Sequence, residues 1–137
     1  MSQITQSTGE VVQVFSSYKQ AAKNACAVLG NIKPSRVELY IGRMGDGRDK
    51  VVGVELIDKK NKKIARIRLD IDVPKGIHWN TEDWQSKETK KTASCLIDTK
   101  GKPTQENVEL YASYLRAIDN IQADTIWEFW KTGSKPI

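Results

Sequence analysis

The chain of 137 residues contains one histidine and two cysteines. With so few metal-binding side chains, and with Cys26 and Cys95 far apart in sequence, the usual zinc spacings are excluded. Two cysteines make no disulfide framework either. Cys26 sits among apolar helix positions, so both read as reduced core thiols, with a single buried disulfide as the alternative. No apolar run approaches the ~20 residues that a membrane helix needs. The opening stretch "MSQITQSTGEVVQVF" is polar and carries no charge before Glu10, so no signal peptide is expected. There is no GxSxG elbow and no Walker A motif, and "GRMGDG" lacks the strand–GxGxxG–helix context of a dinucleotide site. Internal repeats and low-complexity tracts are also missing.

What is present points to one domain over 1–137, with residues 1–12 as a weakly ordered lead-in. A hydrophobic content of 39% against 28% charged residues is that of a globular chain. The net charge of +5 is unevenly spread: residues 1–103 carry 19 Lys or Arg against 12 Asp or Glu, and residues 104–137 carry 3 against 5. A basic body suits a polyanionic partner, nucleic acid first and an acidic protein second.

Phe15, Tyr18, Ala22, Ala25, Cys26 and Leu29 recur at helical spacing, with Ser16 or Ser17 as the cap and Gly30-Asn31 as the stop. After Pro34 the period changes to two. "RVELYIGR" sets Val37, Leu39 and Ile41 on one side, and "MGDGRD" reads as a turn. "KVVGVELID" and "KIARIRLDIDV" place Val52, Val54 and Leu56, then Ala65, Ile67, Leu69, Ile71 and Val73, on one face. Matching these faces across a Lys59–Lys62 loop pairs Leu56 with Ala65, Val54 with Ile67 and Val52 with Leu69. The same register puts Glu55 opposite Arg66 and Gly53 opposite Arg68. Arg66, Arg68, Asp70 and Asp72 then form one row on a face that an antiparallel sheet commonly leaves to solvent. "TASCLIDT" reads as a short strand. Thr104 caps a helix with Val108, Tyr111, Leu115 and Ile118 buried, and "DTIWEFW" fits a strand or a helical turn equally. The expected fold is α+β: an N-terminal helix on a twisted antiparallel sheet of about four strands, plus one or two C-terminal helices.

The charged row runs into "DIDVPKGIHWNTEDW", which holds the lone His78. A metal-free reaction using one histidine amid cations suits RNA cleavage, because RNA supplies its own 2′-hydroxyl nucleophile. The protein then needs a proton carrier near neutral pKa and cations for the phosphorane oxygens. His78 suits the first task, and Lys75, Arg66 and Arg68 the second. Asp70 or Asp72 would orient the imidazole, and Thr92 or Ser94 would hydrogen-bond a phosphate. Trp79 or Trp84 would stack on a base. Lys87, Lys90 and Lys91 would touch the phosphate backbone without reading sequence. Against this stands the plainer reading of a solvated face with cross-strand ion pairs, a structural loop histidine and tryptophans at the edge of the core.

"RIRLDIDVPKGIHWNTEDW" resembles the R-x-D-x-x-x-x-K-G-x-H-x-N stretch of bacterial polymorphic toxin C-terminal domains, matching at Arg68, Asp70, Lys75, Gly76, His78 and Asn80. "KETKKTASCLID" is similar to their Lys-rich loop and strand, and "SSYKQAAKNACAVLGNIKPS" to the helix that often opens such modules. These domains form the barnase/EndoU/colicin/RelE-like ribonuclease superfamily of contact-dependent growth inhibition toxins. Ile77 stands where a proline usually precedes the histidine, and the second histidine of EndoU members is missing.

The resemblance implies a metal-independent, cofactor-free ribonuclease toxin that cleaves transfer RNA. Its site would hold His78, Lys75, Arg68, Asp70 and Thr92, with Arg66, Trp79, Lys87, Lys90 and Lys91 binding RNA. The toxin would be secreted or delivered as part of a larger protein, act in a target bacterium's cytoplasm and be neutralised by a cognate immunity protein. The alternative is a non-catalytic basic RNA- or protein-binding module, or an immunity protein, though +5 argues against the last. Oligomeric state and target bond are not legible.

Overall fold

The hairpin register anticipated from the apolar faces is the one formed. In a computed structural model describing residues 2–5, 9–43, 47–101 and 104–136, β4 (Asp49–Ile57) and β5 (Lys63–Asp72) pair antiparallel. Gly53 faces Arg68, Val54 Ile67, Glu55 Arg66, and Leu56 Ala65. Asp58 closes the connecting loop, its Oδ1 accepting from the backbone N–H groups of Lys60 and Lys62 at 2.9 Å each.

Around this hairpin the arrangement differs from expectation. The chain does not open with a helix: β1 (Ser2–Thr5) falls in the stretch 1–12 read as a lead-in, and β2 (Val11–Phe15) runs from its end through Phe15, which was expected in the helix. Nor is the sheet a four-stranded antiparallel one. Among the described residues it has seven strands in the order β1-β2-β7-β6-β5-β4-β3 and is mixed, because β2 runs parallel to β7 (Lys90–Leu96). The missed strands have separate causes. Besides β1, β2 pairs with the distant β7, Val11 lying opposite Thr92, and local periodicity cannot display that partner. β6 (Gly76–Asp83), read as the histidine loop, is buried on both faces, so its polar and apolar residues do not sort cleanly.

α1 (Tyr18–Ala27) is capped by Ser17, whose Oγ accepts from the Gln20 N–H at 3.2 Å. α2 (Gln105–Ile118) is capped by Thr104, which accepts from Asn107 at 3.1 Å. "DTIWEFW" resolves as helix, within α3 (Ala123–Thr132). All three helices pack on one face of the sheet, sharing a core with Val52, Val54, Leu56, Ala65, Ile67, Leu69, Ile77 and Trp79. Three positions expected on apolar faces, Val108, Leu39 and Ile41, are outside it. Val108 is 44% exposed, since α2 turns Tyr111, Leu115 and Ile118 inward instead. In β3 (Arg36–Arg43), Leu39 and Ile41 are 40% and 49% exposed, because β3 is an edge strand and its register shifts between Tyr40 and Ile41. The turn read in "MGDGRD" falls largely on residues 44–46, outside the described residues.

Gly53 does more than leave room beside Arg68. A Cβ built there would sit 2.0 Å from the Ile67 carbonyl oxygen and 2.7 Å from the Arg68 Cα. Both are backbone atoms that cannot swing aside. Gly53→Ala is therefore expected to destabilise the protein by about 1–3 kcal/mol, read as a shifted urea midpoint. An unchanged midpoint would mean that the two strands separate freely.

Candidate active site on the open sheet face

The register turns the face opposite the helices into parallel rows. One row runs Glu55, Arg66, Glu82, Lys91 across β4 to β7. The next runs Tyr40, Gly53, Arg68, Asn80, Ala93. The third runs Asp70, His78, Cys95, and Asp72 stands beyond it opposite Gly76. The row of charges on β5 and the histidine on β6 are thus lateral neighbours.

Asp70 is the centre of the cluster. Its Oδ1 accepts from Arg68 Nε at 3.0 Å and lies 2.9 Å from Nη2; its Oδ2 accepts from Asn80 Nδ2 at 2.6 Å. The Tyr40 hydroxyl lies 3.4 Å from Arg68 Nη1, its ring reaching across the side-chain-free Gly53. Burial alone would lower the Arg68 pKa, but the charge and hydrogen bond of Asp70, with Tyr40 and Tyr111, hold it above its ordinary value. Arg68 stays a cation, and about a third of its side chain is open to solvent.

His78 is fully buried, at 0% exposure. Its Nδ1 lies 2.8 Å from the Gly76 carbonyl. A carbonyl only accepts, so Nδ1 carries the proton and Nε2 is the basic nitrogen. Nε2 makes no hydrogen bond and faces Asp72 Oδ2 at 3.8 Å. Asp72 is 47% exposed, so its carboxylate joins the buried imidazole to the open surface. Gly76 holds this geometry at φ +71°, where an added Cβ would meet the Thr99 carbonyl oxygen at 2.2 Å.

Other anticipated residues fall in different places. Lys75 stands at the same end as His78 but is held by Glu10 at 2.9 Å. Burial would lower its pKa, and the hydrogen bond and charge of Glu10, with Asp72, raise it beyond that effect. Thr92 lies on the helix-bearing face, paired with Thr81, whose hydroxyl donates to the Ala25 carbonyl. Ser94 shares that face and accepts from Asn24 at 3.0 Å. Neither shares a face with His78, because alternate residues of β7 point to opposite sides.

Trp79 is a correction of the same kind. It is wholly buried against Tyr18 and Trp130, at ring-centroid distances of 5.0 and 6.3 Å, and offers no face to a base. Lys87, Lys90 and Lys91 are exposed around a separate groove at the β6–β7 turn. Among the described residues no three of His, Cys, Asp and Glu converge to hold a metal ion, and no helix is long and apolar enough to cross a membrane. Cys26 and Cys95 are both free and buried, and burial raises their thiols to about 12 and about 11.

Arg66 has a different occupation from phosphate binding. Its Nε and Nη2 donate to Glu55 Oε2 at 3.1 and 2.8 Å, and its guanidinium lies 4.0 Å from the Tyr40 ring centroid and 5.0 Å from that of Trp84. Arg66→Met would leave the buried Glu55 with Lys63 alone, 3.2 Å away. The expected cost is about 1–3 kcal/mol by thermal unfolding. The slope of RNA affinity against salt should stay unchanged; a slope smaller by about one would return Arg66 to phosphate binding. Tyr40, beside Arg68, was missed as a candidate site residue. The available signal was the aromatic residue that aligns with Gly53 once β3 is placed beside β4.

Comparison with known proteins finds a ribonuclease family. The profile described as "Ribonuclease ageritin-like" matches residues 12–132. The curated protein ribonuclease ageritin of Cyclocybe aegerita is 32% identical over 134 residues, covering 93% of this chain and 85% of its own length.

Proposed function

The chain belongs to the ribonuclease ageritin-like family, and from that premise we propose that it is an endoribonuclease whose site is the cluster Tyr40, Arg68, Asp70, Asp72, His78 and Asn80. The observation that carries this reading is His78 Nε2. It is oriented through the Gly76 carbonyl, has no hydrogen-bond partner among the described residues and faces the half-exposed Asp72 carboxylate at 3.8 Å. In the reaction the 2′-hydroxyl gives up its proton to Asp72 backed by His78 and its oxygen attacks the adjacent phosphorus; the P–O5′ bond breaks, the 5′-oxygen takes that proton back from the same pair, and a 2′,3′-cyclic phosphate remains. Arg68, held in place by Asp70 and Tyr40, stabilises the charge on the non-bridging oxygens. Asn80 fixes the second oxygen of Asp70, so that carboxylate is a positioning group for Arg68.

Three finer readings are supported by the resemblance to bacterial toxin domains: a transfer RNA target, cleavage without a metal, and a cognate immunity protein acting in the target cell. Total RNA incubated with purified protein, with and without EDTA, and sequenced at its new ends tests the first two. Discrete cleavage by the wild type is expected. Intact RNA under both conditions overturns the enzyme reading. Cuts confined to other RNAs, or abolished by EDTA, overturn the finer readings and leave the ribonuclease standing.

A further inference from the structure

Away from the cluster, α1, α3, the end of β2 and the segment after Gly30 line an open cavity of about 1280 Å³. That exceeds the about 300–1,000 Å³ usual for small-molecule sites. Its lining includes Phe15, Cys26, Ile32 and Trp127 as an apolar floor. Phe15, Cys26 and Trp127 are each less than a tenth exposed, and burial keeps the Cys26 thiol neutral at about 12. Neither aromatic ring stands free as a stacking platform, so the floor suits an aliphatic body better than a nucleobase.

The charge around this floor is of one sign. Lys23 from α1, Lys33 from the loop and Lys131 from α3 all line the cavity, and no Asp or Glu does. Among the described residues Lys23 and Lys33 make no ion pair. Lys131 is held by Glu128 at 2.6 Å and lies 5.1 Å from the centre of the Trp127 ring. Three lysines from three separate elements thus line one recess, and Lys23 and Lys33 leave their charge uncompensated by an ion pair among the described residues. Lysines so placed repel each other, and an anion seated among them relieves that repulsion.

We propose that this cavity binds a free single-chain anionic amphiphile: a saturated acyl chain against Phe15, Ile32 and Trp127, with its carboxylate at Lys23 and Lys33. The site shares no residue with the cluster around Asp70, so it stands whether or not the chain cleaves RNA.

The test uses the full chain with dodecanoate below its micelle-forming concentration, followed by isothermal titration. One molecule per chain is expected to bind. The double variant Lys23→Glu/Lys33→Glu, whose two side chains are exposed, is expected to weaken binding about tenfold while retaining the wild-type circular dichroism spectrum. Dodecanol, with the same chain and no charge, is expected to bind at least tenfold more weakly than dodecanoate. Absence of saturable binding, several molecules per chain, equal affinity for dodecanol, or equal affinity in a folded double variant each overturns the proposal. If the double variant loses its fold, Lys33→Gln alone replaces it, and an unchanged dodecanoate affinity there overturns the proposal equally.

Discussion

His78→Gln is expected to lower kcat for RNA cleavage by about 10²–10⁴-fold, the usual contribution of a positioned proton carrier, while KM changes little. The imidazole is buried and meets no substrate binding surface, so RNA should still dock on Arg68 and its neighbours. What disappears is the basic Nε2 behind Asp72, together with one hydrogen bond to the Gly76 carbonyl. That bond is worth about 0.5–1.5 kcal/mol, so the melting temperature should fall by only a few degrees. Steady-state cleavage of a short RNA, alongside thermal unfolding of the same preparation, separates the two effects. A variant that cuts as fast as wild type would remove His78 from the reaction and leave it a strand residue with an unsatisfied nitrogen.

Trp79→Ala is expected to have the largest effect on stability, about 3–5 kcal/mol. The indole is wholly buried between Tyr18 and Trp130 and lies in the β6 strand that also carries His78 on its other face. Truncating it opens a cavity at the meeting point of α1, α3 and the sheet. At the 2–6 °C per kcal/mol expected for a domain of this size, the melting temperature should fall by roughly 10–20 °C. Trp79→Phe, which retains an edge for Tyr18, should recover part of the loss. A Trp79→Ala protein of wild-type stability with weakened RNA binding would contradict the burial and restore Trp79 as a base platform.

Much of the site was legible because strand periodicity is strict. Once the apolar faces of β4 and β5 were matched, only one register buried both, and it set Glu55 against Arg66 and Gly53 against Arg68. The same parity placed Arg66, Arg68, Asp70 and Asp72 on one face. It did not reach Thr92 or Trp79, because their strands had not been registered against β5. Each sits one residue out of phase with the site: Trp79 beside His78, and Thr92 beside Ala93. A single step along a strand turns a side chain from the cluster to the core.

The sequence by itself determined the elements whose partners are local. Ser17 and Thr104 cap their helices through bonds to residues three positions on, and the β4–β5 hairpin closes over a short loop. It also determined that any histidine chemistry would fall to His78, since the chain holds no other histidine. Only the tertiary structure decided which strands flank that histidine, that β2 joins the sheet in parallel, and that Arg66 is held by Glu55 and Tyr40. It alone decided that His78 is sealed beneath the surface with Nε2 turned to Asp72. The reason is physical: caps and hairpins are fixed by bonds across a few residues, whereas the state of a buried nitrogen depends on every strand that closes over it.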